Sequence, residues 1–133
     1  MEVTPTSIAA IKLATQRLED GWVVVTGLDR PINDLKYRPR FFRRPASLPV
    51  LFVTMGLRAR APVIVMGSTM LPDKTYEVVA SQPISLQPYD NRQQELVANA
   101  EGVLAVAEEF IRLSPSQWSM AYPVWPEALD EVP

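Results

Sequence analysis

The residues with the most to offer chemically lie between positions 29 and 44. Asp29 and Arg30 open this stretch, and Lys36, Arg38, Arg40, Arg43 and Arg44 follow, with Phe41 and Phe42 set among them. Guanidinium groups present paired N–H donors that match phosphate oxygens. Arg38, Arg40, Arg43 and Arg44 therefore suit phosphates or anionic headgroups. The plainer alternative is a solvated loop whose charges balance an acidic end at Glu127, Asp130 and Glu131. Phe41 and Phe42 could wall an apolar pocket or dip into a membrane, although adjacent phenylalanines in a loop more often anchor it to the core. Asp29 follows a β-branched run, where open α/β sheets place functional residues. It could equally close a turn before Pro31.

What the chain lacks narrows the chemistry further. It contains no histidine and no cysteine, so the commonest general base and metal ligand is missing, and no thiolate or disulfide is available. No catalytic residue, metal site or cofactor is expected. The net charge is -2 and the pI about 5.1, which gives no global attraction to nucleic acid. Arginine alternating with proline and phenylalanine hints at single-stranded nucleic acid, but the acidic whole argues against it. No apolar run reaches the ~18 residues of a membrane span, and Glu2 stands where a signal peptide would be basic. Residues 1–133 read as one soluble domain closed by an acidic tail at 126–133.

The elements that must position these residues can be taken in order. Thr4 or Thr6, with Pro5, can open a helix. Ile8, Ile11, Ala14 or Thr15, and Leu18 share one face of it, and Gly21 can end it in a left-handed cap. Trp22-Val23-Val24-Val25-Thr26 has the composition of a strand buried on both faces. Residues 28–45 show no periodicity and read as a long functional loop or a partly ordered one. A helix at about 47–58 is apolar almost all round and should be buried or lie against a membrane or partner, with Gly56 marking a close backbone contact. Residues 58–62 break it before a buried strand, Val63-Ile64-Val65-Met66. Leu71-Pro72-Asp73-Lys74 suits a tight turn, and Thr75-Tyr76-Glu77-Val78-Val79 should return as the antiparallel partner. Ile84-Ser85-Leu86 is extended between Pro83 and Pro88.

Asp90 and Gln93 are placed to form a capping box for a helix running to about Leu113. Its stripe is Leu96, Val97, Ala100, Val103, Leu104, Ala107, Phe110 and Ile111, with Glu95, Asn99, Glu108, Glu109 and Arg112 opposite. Trp118, Tyr122 and Trp125 either sit at a membrane interface or form an aromatic clasp over the core. The expected fold class is α/β, a mixed β-sheet flanked by helices.

Gly21-Trp22-Val23-Val24-Val25, Asp29, Phe41-Phe42-Arg43-Arg44-Pro45-Ala46, Ala61-Pro62-Val63-Ile64-Val65 and Pro115-Ser116-Gln117-Trp118 occur in an order and spacing that resembles the C-terminal half of the bacterial lipid A biosynthesis (lauroyl/myristoyl) acyltransferases, within the lysophospholipid acyltransferase superfamily. The resemblance spans about residues 6–125. It departs at Arg43, where that family has glycine, and at Arg30, where the acidic turn loses its second acid. The tight backbone approach after Phe-Phe is thereby placed in doubt.

The resemblance implies transfer of an acyl chain from acyl carrier protein or acyl-CoA to a hydroxyl of a glycolipid acceptor. It also implies peripheral contact with the inner face of the cytoplasmic membrane. In that family His-x4-Asp supplies the base, upstream of the part matched here, together with a membrane anchor. A chain without histidine would lack activity alone and would act by joining a second chain that carries the N-terminal half. A face left open by that half would expose an apolar patch and favour a partner or homo-oligomer. The alternatives are a non-catalytic binding or interaction module and a truncated remnant. By the resemblance, Asp29, Arg30, Arg38, Arg40, Phe41, Phe42, Arg43 and Arg44 are the candidate substrate- or anion-binding residues.

Overall fold

The computed structural model describes residues 8–32 and 36–131. The expected caps Thr4, Pro5 and Thr6 lie outside them. Helix α1 spans Ile8–Glu19, and its end explains the glycine that follows. Gly21 takes φ +83°. Its N–H donates to the carbonyl of Leu18 (3.0 Å), and that of Trp22 donates to the carbonyl of Arg17 (2.9 Å). These are the paired bonds of a Schellman cap, where a left-handed residue is required. The Arg17 guanidinium lies 5.0 Å over the Trp22 ring, closing the cap from outside. Ile8, expected on the packed face, is 78% exposed. Ile11, Ala14 and Leu18 do pack inward.

The segment 22–26 departs from expectation. It is extended but belongs to no sheet, and Val23 and Val25 are 86% and 90% exposed. A strand is held by backbone bonds to a neighbour, and none of the described strands lies beside this one. The valines have the composition of a sheet interior without the sheet.

Within the stretch expected to be loop, β1 (Arg40–Phe41) and β2 (Arg44–Pro45) form a two-stranded hairpin. Helix α2 covers Leu51–Ala59, shorter than expected at its start. It buries Phe52, Val53, Met55 and Gly56 and leaves Leu51 exposed. A Cβ at Gly56 would stand 2.5 Å from Leu86 Cδ1 and 3.2 Å from the Ala61 carbonyl, which is the close contact foreseen for this position. Arg60, at φ 52°, ends the helix.

Strands β3 (Met66–Met70) and β4 (Tyr76–Ala80) pair antiparallel, with Ser68 opposite Val78. Lys74 turns the chain between them at φ 67°, and Asp73 accepts from the backbone and hydroxyl of Thr75. A bridge between Val63 and Ile84 extends the ladder. The strand expected to be buried at 63–66 is only half so: Val65 is buried, while Ile64 and Met66 are 51% and 66% exposed.

The longest element, α3 (Arg92–Leu113), is capped by Asn91 rather than Asp90. The Asn91 side chain accepts from the Gln94 N–H at 2.9 Å. One face of α3 packs Leu96, Ala100, Val103 and Ala107 against α2, and Leu104 turns toward the β1–β2 hairpin. Burying each leucine or valine contributes roughly 1.5–3 kcal/mol. The architecture is thus α/β, with helices packed on two small antiparallel sheets. No single mixed sheet joins the described strands. No described helix is long and apolar enough to cross a membrane.

Asn99 was expected on the exposed face and is instead buried. Its carbonyl accepts the Gln87 N–H (2.7 Å), and its amide donates to the carbonyls of Gln87 (2.7 Å) and Glu95 (2.7 Å). It fastens the extended segment after Ile84 to α3. Replacing Asn99 with Ala strands both Gln87 backbone groups, and we expect a loss of about 2 kcal/mol, read as a lower urea midpoint with an unchanged slope. An unaltered midpoint would remove Asn99 from this role.

Candidate functional site

The two residues joining β1 to β2 are Phe42 (φ 49°) and Arg43 (φ 66°). Positive φ at both central residues defines the type I′ hairpin turn, whose usual occupants are Asn-Gly or Gly-Gly. Neither Phe nor Arg signals such a turn, so the hairpin was not legible from residue types. Arg43 stands in the left-handed region. That conformation costs a non-glycine residue about 1 kcal/mol, so something else must hold it.

Two carboxylates from α3 do so. The Arg40 N–H donates to Glu101 Oε1 at 2.8 Å, and the Phe42 N–H donates to Glu108 Oε1 at 2.7 Å. Positions 101 and 108 lie two helical turns apart and therefore share a face. Glu108 also pairs with Arg112 (2.8 Å), whose guanidinium sits 5.1 Å from the Phe42 ring. The seven-residue spacing of these glutamates is the signal in the sequence that places both on one helix face.

Phe41 is fully buried, which is the anchoring role. Its ring lies 4.7 Å from Phe42, 5.8 Å from Trp118 and 5.7 Å from Trp125, centroid to centroid. Phe42 is half-buried against the same two tryptophans. The tail thus forms the aromatic clasp. Tyr122 takes no part in it and is 71% exposed.

Asp29 does not stand free at a strand end. It accepts the Trp118 indole N–H at 2.8 Å. One residue earlier, the Gln117 side chain accepts the Met70 N–H (2.7 Å) and donates to the Met70 carbonyl (3.0 Å). The Pro115–Gln117 turn and Trp118 therefore tie the end of β3 to the turn at Asp29 and to the hairpin.

The arginines divide into two groups. Arg38 donates to the Pro45 carbonyl (3.0 Å) and pairs with Glu127. Arg44 pairs with Glu131 at 2.6 Å. Both acids belong to the 3₁₀ segment Pro126–Glu131, so part of the basic loop does balance the acidic tail. Arg30 and the side chains of Arg40 and Arg43 have no ion-pair partner among the described residues. All three residues are exposed. The hairpin thus brings Arg38, Arg40, Arg43 and Arg44 together with Phe41 and Phe42. Among the described residues no group of three or more acidic, histidine or cysteine side chains could hold a metal ion.

No protein-family model matches the chain, and no curated protein matches it.

The tail contact is expected to depend on pH. The Glu127 carboxyl is held below its ordinary value of 4.5, chiefly by its own backbone N–H and then by Arg38. A group whose value is lowered in the docked state favours docking above its ordinary value, and that contribution is lost as pH falls through the lowered one. We expect the amide shifts of Glu127 and Ala128 to be flat from pH 7 to 5 and to move below about 4.5, with Glu127→Gln abolishing the transition. Movement between pH 7 and 5 would show that another group governs the tail.

Proposed function

We propose that this chain is the acceptor-side scaffold of a lipid A-type acyltransferase, inactive by itself and active only with a chain that supplies the histidine base. General acid–base work on an unactivated hydroxyl needs a group titrating near the working pH and within hydrogen-bond reach of the substrate. The absence of histidine from all 133 residues removes the usual candidate. The donor would be acyl carrier protein or acyl-CoA, the acceptor a glycolipid, and the place of work the inner membrane face.

The observation that carries this reading is the way separate motifs of the resemblance meet. Asp29 is bonded to Trp118, and Phe41 and Phe42 pack on the same tryptophan. The hairpin then directs Arg40 and Arg43 outward as the anion grip, with Arg38 and Arg44 available once the acidic tail leaves. A non-catalytic anion-binding module that keeps the same hairpin is the second reading, favoured by the missing base.

Two experiments test these, and the second separates them. Each exposed arginine near an anionic bilayer contributes about 1 kcal/mol, so Arg40→Ala with Arg43→Ala should weaken binding to phosphatidylglycerol vesicles about 30-fold. Unchanged vesicle binding would refute the anion grip under either reading. Co-expression with a polypeptide bearing the anchor and His-x4-Asp should give a stable heteromer by light scattering and thioester-dependent acyl transfer. A heteromer without transfer, or no heteromer, would leave the binding module.

A further inference from the structure

The segment at 22–27 and the segment 62–67 that leads into β3 line one groove of about 1020 Å³, floored by Phe52, Met55, Ala107 and Phe110. Both walls present unpaired backbone. Residues 23–26 make no backbone hydrogen bond among the described residues. On the other wall, Val63 exchanges bonds with Ile84 (2.9 and 2.8 Å), and Val65 bonds Ser81 through its carbonyl (2.9 Å) and its N–H (3.0 Å). Strand alternation therefore turns the backbone groups of Ile64 away from that ladder, where they too have no partner.

We propose that this groove receives an extended, apolar strand of another polypeptide, bonded through its backbone to both walls. A lipid chain would fill the apolar floor but leave both rows of backbone groups unpaired, at a cost that a strand avoids. A second copy of this chain offers its own 22–26 segment as an unpaired strand, and inserting it would strip a wall from its own groove. A strand from a different chain avoids that loss. Side chains on one of its faces meet Phe52 and Phe110, so that face is uncharged. The exposed Val23 and Val25 require cover over the wall as well.

The groove argument rests on unpaired backbone. That the incoming chain also carries a base rests on the acyltransferase reading above. The test separates them by using a probe without histidine: a capped octapeptide of alternating valine and threonine with a lysine at each end, added to the purified chain and followed by hydrogen–deuterium exchange. We expect the amides of residues 23–26 and of Ile64 to exchange at least about tenfold more slowly. The same peptide N-methylated at every second amide should give no protection. Val24→Pro removes one wall donor while keeping an extended backbone. It should abolish the effect of the peptide with the urea midpoint unchanged. Absence of protection, equal protection by the methylated peptide, or a homodimer already protected without peptide would each overturn the proposal. Protection without acyl transfer in the co-expressed pair would sustain the groove and refute the enzyme reading.

Discussion

A two-stranded hairpin is marginal in water by itself, and this chain contains two. What holds them is a constraint on irregular backbone in general: N–H and C=O groups leaving water must find partners. Here side chains act in place of neighbouring strands. The amide of Asn99 meets both backbone groups of Gln87, and the amide of Gln117 meets both of Met70. Glu101 and Glu108 take the two N–H groups that the short β1–β2 hairpin directs toward α3. Helix α3 is therefore more than an apolar ridge. Three of its polar side chains fix the extended segment after Ile84 and the basic hairpin at set heights along its length.

Against that background the segment 22–26 is an exception. A β-branched run has side chains suited to a pleated, half-buried surface, and a Schellman cap launches this one in a defined direction. Yet no side chain reaches across to satisfy its backbone, and two of its valines are almost wholly in solvent. Local propensity and tertiary surroundings disagree here. Such disagreement is expected at functional or strained positions.

The agreements and failures along the chain also show what could be read in the residues. The α3 stripe, the Gly21 cap, the Gly56 contact and the Asp73 turn were legible because each depends on interactions within a few residues or on a simple period. The sheet expected around Trp22 was not, because a strand needs a partner and composition cannot state whether one exists. The hairpin at Phe42 and Arg43 was hidden because its turn uses neither asparagine nor glycine. Asn99 was misplaced because a polar residue beside an apolar stripe looks exposed until its backbone partner is known. Of the candidate site, the clustering of the four arginines with Phe41 and Phe42 was readable. The pairing of Arg38 and Arg44 with the tail was weighed only as the plainer alternative.

The hairpin tip shows how strain and charge are reconciled. Glycine would occupy the Arg43 position without conformational cost, and arginine occupies it at φ 66°. Such strain persists when the surroundings over-determine the conformation, and here they do: two glutamates hold the backbone on either side of Phe41, and four aromatic rings pack beneath. A guanidinium at a left-handed tip projects away from the body of the domain, where the acidic tail segment pairs instead with Arg38 and Arg44. The tail can therefore neutralise the flanks of the basic hairpin without masking its tip. Arg40 and Arg43 stay exposed while Arg38 and Arg44 are paired with the tail.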